Sequence, residues 1–309
     1  MKDNSHLIYI ISLFLFFVIP NAFAANNVKE VTIEEDVCSE DVSIDCFRVQ
    51  GWSKGNHALD CTIIIPSGGS NLPLIAWANG WDQGNVLGQC TTTGYLPGLK
   101  QWAKDGPYVI AAANQWSVQE SDVLACVQWV VDNDGLDVSD TTLSVDGSKV
   151  GLVGHSQGGG AVIKAGNGTK NGPEITTVLS MNPYGPGWVN PENQDGPVLI
   201  VGGSMDTTTP PASYQAVWDA IKAEGAVGGP GGVISSLVDG THNSDAWGTE
   251  PDTGATLSCE EAANQEFGRY QNVGLLWWQI QLQGMDTHRT TLEGILGNSP
   301  WENTDTSNF

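Results

Sequence analysis

"KVGLVGHSQGGGAV", Lys149 to Val162, decides how the rest of the chain is read. An apolar, strand-like run breaks into Gly-His-Ser-Gln and then into small residues suited to the start of a helix. Gly154-His155-Ser156-Gln157-Gly158 fits G-x-S-x-G, a strand-to-helix turn so sharp that residues without a Cβ are needed beside the serine. In a chain with 38 glycines the five-residue pattern alone is a weak signal. The strand before it and the helix start after it supply the context the motif demands, so Ser156 is read as a nucleophile rather than a turn serine.

The chain alternates strands and helices on both sides of this stretch. "CFRVQGW" and "DCTIIIP" flank turn-forming residues and predict an antiparallel hairpin. "LPLIAWANG", "YVIAAANQW", "KVGLVGHS", "ITTVLSMNPY", "PVLIVGGSMD" and "GGVISSLVDG" predict buried strands. Helices are predicted for "YLPGLKQWAKDG", for "SDVLACVQWVVDN" with Ser or Asp at its cap, for "QGGGAVIKAG", for "PPASYQAVWDAIKAEG" and for a terminal stretch around "ANQEFGRYQNVGLLWWQIQLQ". Continuous apolar strands alternating with helices imply an α/β fold: a mainly parallel central sheet flanked by helices on both faces. Ligands gather at the C-terminal ends of such strands, and the polar motifs of interest fall there.

A serine hydroxyl needs a base, and the base needs an orienting carboxylate. In this kind of sheet the chain order is Ser, acid, His. Only His242 and His288 follow Ser156; His6 lies in the apolar leader, His57 in the early hairpin and His155 inside the elbow. His242 ends a predicted strand in "GTHNSD", whereas His288 lies in "MDTHRTT", which reads as a solvated tail, so His242 is the predicted base. Asp206 closes "PVLIVGGSMD" ahead of the turn "TTTPP" and is the predicted acid; Asp195, Asp219, Asp239 and Asp245 have ordinary loop, helix or capping roles available. Two backbone N–H donors for an oxyanion are expected from Gln157, after the nucleophile, and from Trp81, after Gly80.

With these residues in place, the chain resembles the α/β-hydrolase fold and, within it, the secreted cutinase-like polyester hydrolases and their chlorophyllase and dienelactone-hydrolase relatives. The likeness runs from about Leu59 to Met285 and rests on "ANGWDQG", "YLPGLKQWAKDGPYVIAA", "GHSQGGGA", "GGSMDTTTPP" and "GTH". It implies that Trp81 also forms an aromatic clamp and that Tyr184, in "MNPYGPGW", forms an aromatic wall facing it. Gln157 stands where polyester hydrolases commonly carry Met, and Tyr184 where tryptophan is usual. The nucleophile is serine, unlike the cysteine of dienelactone hydrolases. The function implied is hydrolysis of carboxylic esters through an acyl-enzyme, with a soluble or polymeric ester as substrate. Cleavage of amides by the same groups, and a non-catalytic binding protein on the same fold, are the rival readings.

Composition bounds the setting. The first 24 of 309 residues run from Met1-Lys2 through "LIYIISLFLFFVIP" to Ala22-Phe23-Ala24, the n-region, h-region and cleavage site of a secretory signal peptide. Residues 25–309 are expected to form one α/β-hydrolase domain, exported and monomeric, with no stable membrane anchor. A formal net charge of −23 spread along the chain repels nucleic acid. Six cysteines in an exported chain suggest disulfides. Fifteen full pairings are possible, and only Cys38 with Cys46 is a local expectation. "DNDGLDVSD", 132–140, crowds aspartates but misses EF-hand spacing and reads as a solvated loop; no metal and no cofactor is expected. Trp277 and Trp278 read as core, and Asn167-Gly168-Thr169 fits a glycosylation sequon.

Overall fold

The computed structural model describes residues 30–35, 43–53, 56–80, 95–115, 118–138, 141–166, 173–185, 196–225, 231–240, 242, 268–299 and 301–306. The expected signal peptide, Cys38, Trp81 and the Asn167 sequon lie outside the described residues. No described helix is long and apolar enough to cross a membrane.

Ten strands form one sheet. In chain order they are β1 (Glu30–Glu35), β2 (Ile44–Ser53), β3 (Asn56–Pro66), β4 (Leu72–Ala78), β5 (Val109–Ala113), β8 (Val145–His155), β9 (Thr177–Met181), β10 (Val198–Gly203), β11 (Gly232–Leu237) and β12 (Trp301–Asp305); β6 (Asp137–Val138) and β7 (Thr141–Thr142) pair separately. The spatial order is β1-β2-β3-β5-β4-β8-β9-β10-β11-β12. From β5 to β11 neighbours are parallel, and the antiparallel pairs lie at the two flanks. The sheet is therefore mixed and mostly parallel, and the fold is that of an α/β-hydrolase.

Continuous apolar strands follow from cover on both faces. Along β4, Leu74, Ala76 and Ala78 enter one core while Ile75 and Trp77 enter the other. The first core packs against α2 (Glu120–Asp132), α3 (Gln157–Ala165) and α4 (Pro211–Gly225), through Val127, Ile163 and Trp218 among others. The second packs against α1 (Leu96–Asp105), α5 (Gly268–Gln283) and α6 (Arg289–Leu296), through Trp102, Trp277 and Leu292. Trp277 and Trp278 are fully buried, as expected of core residues. Cys61 of β3 is bonded to Cys126 of α2, tying the sheet to one helical layer. Cys46 is also disulfide-bonded, and the expected pairing with Cys38 lies outside the described residues.

Two expectations need correction. Helix α2 is capped by neither Ser121 nor Asp122. Gln119 is its N-cap, and the Asp122 carboxylate accepts from the Gln119 N–H at 2.8 Å, which closes a capping box. The stretch read as a solvated tail is ordered structure: His288 ends a 3-10 turn (Asp286–His288), α6 follows, and β12 pairs antiparallel with β11. Ahead of the hairpin, β1 pairs antiparallel with β2. In the aspartate-rich loop, Asp132, Asp134 and Asp137 accept hydrogen bonds from Gln128, the Val145 N–H and Thr142. Asp140 lies outside the described residues.

Candidate active site

Parallel β8, β9, β10 and β11 end side by side, so the residues that follow them share one edge of the sheet. Ser156 follows β8, Asn182 follows β9, Asp206 lies beyond β10 and His242 beyond β11. The structure brings Ser156, His242 and Asp206 together. His242 Nε2 lies 2.9 Å from Ser156 Oγ, and His242 Nδ1 lies 2.7 Å from Asp206 Oδ2. His288 is in α6's N-terminal cap, on a different element, and makes no described contact with this group.

Ser156 sits at φ 56°, ψ −120°, a left-handed conformation costly for a side chain. It is pinned from both sides: its N–H donates to the Met181 carbonyl at 2.9 Å, and its own carbonyl accepts from Tyr184 N–H at 2.8 Å and Gly160 N–H at 3.1 Å. The surrounding glycines let α3 lie against the strand ends. A Cβ on Gly158 would stand 2.1 Å from the Ala78 carbonyl oxygen, which no real contact allows.

Asp206 is 3% exposed, and three donors besides His242 hold its carboxylate. The N–H groups of Thr208 and Thr209 reach Oδ1 at 2.7 and 2.8 Å, and the Thr209 hydroxyl reaches Oδ2 at 2.5 Å. Burial pushes this carboxyl up, but the hydrogen bonds from His242 and Thr209 outweigh it and hold it below the usual carboxylate value. An ionised Asp206 fixes the proton of neutral His242 on Nδ1, which leaves the Nε2 lone pair facing the serine hydroxyl.

Behind the His242 ring lies a second imidazole. His155 is fully buried, its ring centroid 4.8 Å from that of His242. Its Nε2 is 2.7 Å from the His242 main-chain carbonyl oxygen, and its Nδ1 meets the hydroxyl of Tyr95. Burial, with the neighbouring His242 adding to it, lowers its pKa to about 3. A carbonyl only accepts, so Nε2 carries the proton and Nδ1 accepts from Tyr95. Asn182 donates to the same His242 carbonyl at 3.2 Å and accepts the Gly203 N–H at 2.8 Å.

Gln157 opens α3, directly after Ser156. Trp81 lies outside the described residues, but the exit of β4 toward it is braced. Asn79 accepts from Trp77 Nε1 at 2.6 Å and donates to the Ala113 carbonyl at 3.1 Å. Tyr184 is 49% exposed and Met205, next to Asp206, is 60% exposed, so two of the three exposed large apolar side chains among the described residues border this group. Sequence reasoning singled out none of Thr209, Asn182, Tyr95 or Asn79 and gave His155 no task. A signal existed only for Thr209, since a threonine shortly after an aspartate in a turn suits a local side-chain hydrogen bond.

No curated protein matches the chain. Residues 109–224 match the family model described as PETase, PET hydrolase-like. The matched segment carries the serine elbow and Asp206, and in it the chain is similar to the PET hydrolase-like family.

Proposed function

We propose that the protein is an exported serine hydrolase that cleaves carboxylic esters, polymeric esters included, through an acyl-enzyme. Ser156 Oγ attacks the ester carbonyl while His242 Nε2 takes its proton. The imidazolium so formed is stabilised by Asp206, which stays ionised. The same Nε2–H then protonates the departing alkoxide, and water, activated by the same histidine, releases the acid. Ester and water give acid and alcohol, with no electrons exchanged. The negative charge on the former carbonyl oxygen is met by the backbone N–H of Gln157, at the N-terminal end of α3, and by that of Trp81.

The observation that carries this reading is the unbroken hydrogen-bonded chain from Ser156 Oγ through His242 to Asp206, at 2.9 and 2.7 Å. The exposed Tyr184 and Met205 at its border support an apolar, ring-bearing substrate over a charged one. Export is supported by the leader-like first 24 residues and by a disulfide between Cys61 and Cys126.

The test is Ser156→Ala. Hydrolysis of short p-nitrophenyl esters and labelling by a fluorophosphonate probe should both vanish while Tm stays nearly unchanged; surviving hydrolysis overturns the assignment. Soluble products released from a polyester film by the unaltered protein, compared with a triglyceride emulsion, decide the substrate class.

A further inference from the structure

The mechanism leaves one buried imidazole without a part. His155 sits between Tyr95 and the His242 carbonyl, with a hydrogen bond at each ring nitrogen. A fully buried polar ring needs such partners to offset its lost hydration, and an apolar side chain would fill the same space without needing any. We propose that His155 is a positioning residue: it holds the main-chain carbonyl of His242, and so sets where the His242 ring stands, with Tyr95 fixing which nitrogen of His155 carries the proton. This rests on the reading of Ser156 and His242 as nucleophile and base.

The topology shows why such a brace is useful. His242 reaches the site from beyond β11, whereas Ser156 hangs from the end of β8 and Asp206 from that of β10. Its carbonyl is grasped by two donors, His155 from the end of β8 and Asn182 from the end of β9. Asn182 is in turn tied to Gly203, the last residue of β10. The imidazole is thereby referenced to the same strand ends that carry its two partners. Proton transfer tolerates little misplacement, since a shift of about 1 Å can cost roughly a hundredfold in rate.

Charge also favours histidine in its neutral form there. A cation with its ring centred 4.8 Å from that of His242 would oppose the imidazolium that forms during the reaction. Burial keeps His155 neutral near pH 7, so it offers one N–H donor and no competing charge. Tyr95 is itself nearly fully buried and packs on Trp77 at 4.5 Å between ring centroids, which limits the freedom of its hydroxyl.

The experiment measures kcat and KM on p-nitrophenyl esters, per active site titrated with a fluorophosphonate, for His155→Leu, His155→Gln and Tyr95→Phe. His155→Leu, which removes the donor, should lower kcat about tenfold to a hundredfold with KM within about twofold. His155→Gln, which keeps an N–H at about the same reach, should recover most of that loss. Tyr95→Phe keeps the packing and frees the tautomer, so a fall in kcat of a few-fold is expected, and this variant tests the proposal even if the leucine variant does not fold. Wild-type kcat per titrated site in Tyr95→Phe and in whichever His155 variants fold overturns the proposal, as does a glutamine variant no faster than the leucine one. Activity surviving in Ser156→Ala overturns the reading beneath it as well. A dead Ser156→Ala beside fully active His155 variants removes only the positioning role.

Discussion

A Cβ added to Gly154 would stand 2.4 Å from the carbonyl oxygen of Gly158, so no side chain fits at position 154 while the backbone of Gly158 approaches it this closely. The second glycine is equally confined, against the Ala78 carbonyl at the end of β4. The G-x-S-x-G pattern is thus a packing requirement: the first turn of α3 is wedged between two strand ends, and Ser156 takes up the bend at φ 56°.

Gly158→Ala should therefore damage stability and activity together. The obstacle is backbone rather than a side-chain tip, so relief requires moving α3 and with it the serine. We expect a loss of about 1–3 kcal/mol, typical of overpacking, and a fall in kcat/KM of about a hundredfold. Thermal melts and ester assays on the purified variant check both; an unchanged Tm would show that the strand ends yield more easily than the geometry implies.

The buried parallel strands were legible because burial on both faces leaves an unbroken apolar run, as in "LPLIAWA" or "PVLIV". The flanking strands were not. β12, "WENTD", carries one buried residue, Trp301, and four that are partly or fully exposed, so no period-two pattern marks it. What seats it is tertiary: Asp305 accepts from Trp218 Nε1 at 3.0 Å and from Lys222 Nζ at 2.8 Å, both on α4. At the site, Ser156, Asp206 and His242 could be singled out because each follows a recognisable strand. Of their supports only Thr209 carried a local signal, since Tyr95 and Asn182 matter only through contacts across distant parts of the chain.

Thr209→Val tests how far the aspartate depends on its neighbour. The substitution keeps the shape and removes a hydroxyl that donates to Asp206 Oδ2 at 2.5 Å. A hydrogen bond to a buried carboxylate contributes about 1.5–3 kcal/mol, and its loss moves the Asp206 pKa upward. Some of that cost falls on folding and some on the imidazolium formed during reaction. We expect kcat to fall about fivefold to tenfold with KM unchanged, by steady-state kinetics. An equal rate would mean that the two backbone donors at Oδ1 suffice.

The Cys61–Cys126 bridge closes a loop with a sequence separation of 65. On the chain-entropy account such a loop is worth about 4 kcal/mol. Changing both cysteines to alanine should lower the urea midpoint accordingly and steepen the transition, because the unfolded chain freed of the bridge exposes more surface. Both sulfur-bearing residues are fully buried, so reductant should act on the unaltered protein only as it unfolds. Rapid reduction under native conditions would contradict that placement.

Acid should weaken the fold in two separate windows. His155 ionises in the folded chain only at about 3, against 6.5 when unfolded, so the unfolded state binds the extra proton between those values. Its contribution is complete above about pH 6.5 and falls as pH drops, by roughly 1.4 kcal/mol per pH unit. Asp60, buried yet held below its usual value by the Arg48 side chain at 2.8 and 2.7 Å and by Asn114, acts lower down. Its stabilisation is complete above the ordinary carboxylate range and is lost as pH falls through its depressed folded value; Asp206 behaves alike. Asp122, pushed up by burial, runs the opposite way and partly offsets both. The histidine is isolated by difference: between about pH 7.5 and about pH 5, wild type should lose about 2 kcal/mol more than His155→Gln in urea titrations. Parallel curves for the two proteins would mean that the buried imidazole takes up a proton without unfolding, and the neutral donor assigned to it would fall.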